Sequence, residues 1–207
     1  NTAAAITGTV TVTPVAGSCT GPTTSFDITV NPLGNPGFEY PAYTYCTSET
    51  DPTATIDVVG GAFTYVPTPG TAVLSINGAT GAIDLSASDP GDYDITYTTV
   101  GPCPQDSTIT MSIAATPTVD VVTNKTECAE DNFALIDFTG SAGTTFNWAN
   151  DNTAIGLGAS GTNDIPTFVG TNNTAAAITG TVIVTPVAGS CTGPTTSFDI
   201  TVNPLDN

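Results

Sequence analysis

Hydrophobic and polar residues alternate over two neighbouring stretches near the end of the chain. Ile178, Gly180, Val182 and Val184 interleave with Thr179, Thr181, Ile183 and Thr185, the two-residue period of a half-buried strand. Pro186 is expected to end that strand, and Ala188-Gly189-Ser190 supplies turn chemistry. Phe198, Ile200 and Val202 then alternate with Ser197, Asp199 and Thr201, and Asn203-Pro204 closes the run. The pattern predicts an antiparallel pair with one apolar face. Such a pair is marginal alone in water and needs partners.

The same stretch occurs twice. Residues 1–35 and 173–207 differ only at Thr11/Ile183 and Gly34/Asp206, an offset of 173 − 1 = 172 residues. The first exchange falls on the threonine face, assigned to solvent. A copy at that distance implies a tandem array whose period holds much more than the copied segment. The chain is therefore expected to be a window on a longer repetitive protein. Residues 1–33 then form the C-terminal part of one module, 34–115 a second module and 116–207 a complete module of the first kind.

Alternation and turn residues place further strands in the second module at 42–47, 54–58, 62–66, 73–76, 82–85, 92–99 and 107–114. In the third they fall at 118–123, 133–138, 144–149, 166–169, 174–186 and 196–203. No stretch shows helical apolar spacing. Many short strands between Gly- and Pro-rich turns predict an all-β fold of serial immunoglobulin-like sandwiches in a rod.

Charge removes several functions. The chain has 19 acidic residues, one basic residue (Lys125) and no His, a net charge of −18. Nothing can neutralise phosphates, which excludes nucleic acid and anionic membrane surfaces as partners. An acidic face keeps an exposed fibre soluble, and divalent cations are its one functional alternative. Apolar runs are too short for a membrane helix. No signal peptide opens the sequence, so any export signal is expected outside it.

Five cysteines resolve under the period, because Cys19 and Cys191 are one position in successive copies. Pairing within modules predicts Cys46–Cys103 and Cys128–Cys191 disulfides, with Cys19 bonded to a preceding module. Each bond would stabilise by about 2–4 kcal/mol, and the set implies an oxidising, extracellular setting. Metal ligation by these thiols is disfavoured, since CxxC spacing and His are missing.

Two segments carry a resemblance. Leu74-Ser75-Ile76-Asn77-Gly78-Ala79-Thr80-Gly81-Ala82-Ile83, followed by Gly91-Asp92-Tyr93-Asp94-Ile95-Thr96-Tyr97, resembles the L-S-I-N-x-x-T-G-x-I … G-x-Y-x-V-T-Y pattern of bacterial immunoglobulin-like and cadherin-like surface repeats. The run from Phe146 to Phe168, the long strand at 177–186, Cys191 and the closing stretch at 198–204 resemble the PKD-like domains of Bacteroidota cell-surface proteins. That resemblance covers the third module fully and the first in part. It implies a role in large secreted adhesins, including gliding-motility adhesins exported by the type IX system.

Candidate sites each have a plainer reading. Trp148, the single tryptophan, suits a sugar-stacking platform, but a lone Trp on a sandwich strand usually packs in the core against a disulfide. Asn150-Asp151-Asn152, Asp89/Asp92/Asp94 and Glu49/Asp51 carry calcium-ligand chemistry, with Asn150, Asp151, Asp89 and Asp92 the leading candidates; turns use Asp and Asn anyway. Lys125 is expected to be solvated rather than joined in an isopeptide bond. Asn124-Lys125-Thr126 and Asn172-Asn173-Thr174 match an N-glycosylation pattern, and Asp106-Ser107-Thr108 a short O-glycosylation pattern at Ser107. Without His, and with its cysteines paired, the chain is not expected to be an enzyme. It reads as a structural segment of a giant extracellular filament or cell-surface adhesin. No cofactor is called for, and calcium is the sole candidate. The expected partners are neighbouring copies of the repeat, with a surface glycan or a host or substratum target beyond them. The alternatives are a fibre subunit polymerised by donor-strand exchange and a carbohydrate-binding accessory module of a secreted enzyme.

Overall fold

A computed structural model describes Ala4–Leu205, and the described residues are all-β, with one 3-10 turn at Thr153–Ile155. They form β-sandwich structure in two compact units. The first takes the chain up to Thr44 together with Thr50–Ser112, and the second takes Tyr45–Glu49 together with the chain from Ile113 on.

The first unit opens with a hairpin of β1 (Ile6–Val12) and β2 (Thr24–Val30), paired from Ile6↔Val30 to Val12↔Thr24. A four-stranded sheet follows, built from β3 (Thr44–Cys46), β4 (Ala62–Pro67), β5 (Gly91–Thr98) and β6 (Asp106–Ala114) in the order β3-β6-β5-β4. The border between the units falls within β3 and β6. Alternation on β5 buries Tyr93, Ile95 and Tyr97, which is the strand period put to work. Phe63 and Tyr97 pack with ring centroids 4.7 Å apart, and Phe38 meets Phe63 edge-on at 5.2 Å. The Asn77-Gly78-Ala79-Thr80-Gly81 stretch is an Asx turn: the Asn77 side-chain oxygen accepts the N–H groups of Ala79 and Thr80 at 3.0 Å. Gly81 follows at φ 70°, and the turn brings Ile76 opposite Ile83 in a single bridge.

In the second unit the main sheet runs β7 (Lys125–Cys128), β11 (Thr196–Asn203), β10 (Ile178–Ala188), β8 (Thr145–Asn150), β9 (Ser160–Thr162), in that order. The short segment Cys191–Thr192 folds back onto the end of β10. Phe133, Ile136, Phe138, Ile155, Leu157 and Ile165 join the sheet residues Phe146, Trp148, Val182, Val184, Phe198, Ile200 and Val202 in one core. Asn132–Phe133 pairs with Phe168–Val169, and Ile136 bridges Ile165.

Several elements differ from the sequence expectation. Pro186 does not end its strand: its carbonyl accepts the N–H of Gly193 at 2.9 Å, and the strand runs on to Ala188, paired with β8 as far as Val187 and with Cys191 at Ala188. The stretches 73–76 and 82–85 reduce to the Ile76–Ile83 bridge. The Asp84 N–H still donates to the Ser75 carbonyl at 2.9 Å, but the Leu85 N–H goes to the Asp51 carboxylate and the Ser75 N–H to the Ser88 hydroxyl. Residues 118–123 keep only a bridge at Val119. β7 was not expected, because Lys-Thr-Glu-Cys does not alternate; it is held by parallel pairing along the edge of β11.

Candidate functional site

The candidate site is the β1–β2 hairpin, and its own copy in the second unit shows what it lacks. β10 and β11 pair in the same register shifted by 172 residues, Ile178↔Val202 standing for Ile6↔Val30. The polar faces match too. Thr9 donates to Asp27 at 2.6 Å as Thr181 does to Asp199 at 2.9 Å, and the Thr7–Thr29 contact of 2.9 Å repeats as Thr179–Thr201 at 3.0 Å.

The apolar faces have opposite environments. Val182, Val184, Ile200 and Val202 are 0% exposed and Phe198 3%, whereas Val10, Val12, Phe26, Ile28 and Val30 are 38–64% exposed. Both edges of the hairpin differ as well. β11 carries β7 on its outer edge and β10 carries β8, while the sheet of β1 and β2 holds only those two strands among the described residues. Gly180 records the same contrast. A Cβ there would meet the Asn150 side-chain oxygen at 2.6 Å and Ile155 Cδ1 at 2.8 Å, but at Gly8 it would meet nothing within 4 Å. Burying five large apolar side chains stabilises by on the order of 10 kcal/mol. The first copy has the surface for that gain, and its apolar face stays exposed among the described residues.

The cysteines pair differently from expectation. Cys46 bonds Cys191, with Cα atoms 5.7 Å apart across 145 residues of sequence, a spacing normal for a disulfide. This replaces both the Cys46–Cys103 and the Cys128–Cys191 pairings. Pairing by sequence segment assumed that each bond closes within its own module. Instead Cys46 sits at the end of β3 and Cys191 in the turn after β10, both buried. Cys19, Cys103 and Cys128 are thiols, Cys19 and Cys128 exposed.

The remaining candidates have structural duties. Trp148 lies in the core, its ring over Gly161, where a Cβ would come within 2.3 Å of Cζ2. Asn150 is buried, and its amide group donates to the carbonyls of Asn152, Leu157 and Gly158 at 3.1–3.3 Å. The Asp151 carboxylate accepts the Thr181 N–H at 2.7 Å, and Asp89 accepts the Val73 N–H at 2.9 Å. Asp94 accepts the Thr110 hydroxyl at 2.7 Å, while Asp92 enters the bonding through its main-chain carbonyl, which takes the Thr68 N–H at 2.8 Å. Among the described residues no three His, Cys, Asp or Glu side chains gather as a metal-ligating group. Lys125 is half-buried, its ammonium donating to the Thr123 hydroxyl at 3.3 Å. Asn172 is buried and donates to the Ala176 and Val202 carbonyls, and Asn124 accepts the Asp199 N–H. Ser107 is half-buried on β6. None of the described helical residues forms a helix long and apolar enough to cross a membrane.

No protein-family model matches the chain, and no curated protein does. Among solved structures it is similar to the two immunoglobulin domains of DIP-gamma, at 9% identity over 83% of this chain and 99% of that one, with a TM-score of 0.39. It is similar also to the insect immune protein hemolin, at 9% identity over 95% and 56% with a TM-score of 0.40. Extracellular cadherin domains 1–5 of protocadherin gamma B2 match at 13% identity over 97% and 46%, with a TM-score of 0.32. The chain thus spans about half the length of the latter two. The sandwich assignment stands on the strands and core described above, not on these likenesses.

Proposed function

We propose that this chain is a structural, non-catalytic segment of a tandem-repeat extracellular filament or cell-surface adhesin, related to PKD-like and immunoglobulin-like surface repeats. The observation that carries the reading is the β1–β2 hairpin. Its sequence-identical apolar face is closed in the second unit by the layer from residues 116–170, and it lies open in the first. A layer of that sequence from the preceding period completes it. Two alternating sandwich types then repeat every 172 residues, and serial modules joined by short Pro-containing linkers supply reach and stiffness. The acidic surface keeps such a fibre soluble.

The open face also supports a second reading, in which the hairpin completes a sandwich in another molecule by strand addition. The carbohydrate-module reading loses its leading residue, because Trp148 is in the core. Mass measurement of the natural protein under denaturing, reducing conditions, with peptide mapping beyond residue 207, separates the first two. A species of hundreds of kilodaltons, with peptides running from the 198–204 stretch into another 36–115-type segment, is expected. A discrete 20.7-kDa chain would replace covalent repetition by assembly through the hairpin.

A further inference from the structure

We propose that Cys128 of one period is joined by a disulfide to Cys103 of the next, so that every junction between modules carries a covalent staple. The inference rests on the stacking of successive periods proposed above.

Each period contains Cys46, Cys103, Cys128 and Cys191, with Cys19 the earlier copy of Cys191. The Cys46–Cys191 bond uses two of them, and Cys103 and Cys128 remain thiols. The copied segment brings the strand that bears Cys128 and the loop that bears Cys103 to the same short stretch of chain. Cys128 lies opposite Asn203 in the parallel β7–β11 pair, and the next N–H, that of Ala129, donates to the Asn203 carbonyl at 2.9 Å. Asn203 is the second copy of Asn31. Three residues after Asn31, the Gly34 N–H donates to the Cys103 carbonyl at 3.1 Å. The chain there runs tight against the loop that bears Cys103, since a Cβ on Gly34 would come within 2.2 Å of the Thr99 hydroxyl. Shifting the second unit back by one period therefore sets its Cys128 beside Asn31, on a three-residue stretch whose other end is bonded to Cys103. Three residues span at most about 10 Å when fully extended, so the strand bearing Cys128 and the loop bearing Cys103 meet the same short segment, and closing the bond fixes how that segment folds between them.

The same translation gives Cys19 the Cys46 of the preceding period, so all four cysteines of a period are used. Formation is a thiol–disulfide exchange. The Cys103 and Cys128 thiols lose two protons and two electrons as the S–S bond forms, and an external protein or small-molecule disulfide is reduced to two thiols.

The test uses the assembled protein, isolated with maleimide present to block free thiols. It is digested with pepsin in acid, which suppresses exchange and does not depend on the single Lys. Linked peptides joining Cys103 to Cys128 are expected, while in the dilute 207-residue chain both residues take up maleimide. Maleimide on both cysteines in the assembled protein would overturn the proposal. So would a Cys103–Cys128 link inside the isolated chain. Amide exchange at peptides containing Thr11 tells the two failures apart. Slow exchange there with free thiols sinks the disulfide and leaves the stacking intact; fast exchange in the assembled protein sinks the stacking, and this proposal with it.

Discussion

Phe26 and Phe198 are the same residue of a copied strand, each directly opposite a valine, Val10 and Val182, yet Phe26 is 53% exposed and Phe198 3%. One sequence thus appears in two environments within one molecule, and the pair forms an internal control. Phe198→Ala is expected to lower the unfolding free energy of the chain by about 3–5 kcal/mol. Phe26→Ala should change it by less than about 0.5 kcal/mol. Chemical denaturation of the two variants measures both.

The glycines make the same comparison in the opposite chemical direction. Gly180→Ala forces a methyl against Asn150 and Ile155 and is expected to cost about 1–3 kcal/mol through overpacking. Gly8→Ala meets open space in the isolated chain and should melt like the unaltered protein. A matching loss in Gly8→Ala would show that the first hairpin is already covered.

The Cys46–Cys191 bond closes a span of 145 residues. Reduction, or Cys46→Ser, is expected to remove about 2–5 kcal/mol of stability, mainly by freeing the unfolded chain. Denaturant midpoints with and without reductant read the difference, and Cys103→Ser should leave it in place.

Burial, followed by the Asp89 carboxylate and Tyr65, raises the Tyr93 phenol above its usual value of 10.0. The folded state therefore holds this proton more tightly than the unfolded chain does. The resulting stability is complete below about pH 10 and is lost as pH rises through the folded value. Unfolding free energies measured between pH 9 and 12 should fall, and Tyr93→Phe should flatten that fall.

Much of the fold was legible because a two-residue period signals one buried face. β5, β6, β8, β10 and β11 all announced themselves through it, and the copied segment showed the antiparallel pair twice, although its register came only with the structure. β7 was not legible, because Lys125–Cys128 owes its strand to the edge of β11 rather than to its own pattern. The end of β10 was misplaced because a proline halts a strand only where its missing N–H is needed, and Pro186 lies where its carbonyl is bonded instead. The disulfide was misread for a related reason. Sequence proximity suggested bonds inside modules, whereas the partner of Cys191 lies on β3, far back in the chain.

The central claim is that the apolar face of β1 and β2 is covered in the assembled protein as that of β10 and β11 is covered here. Amide hydrogen exchange at peptides containing Thr11, which mass alone distinguishes from their Ile183 copies, measures this directly. In the 207-residue chain these peptides should exchange much faster than the Ile183 peptides. In the assembled protein they should slow to match them. Thr11 peptides that exchange equally fast in both would contradict the account.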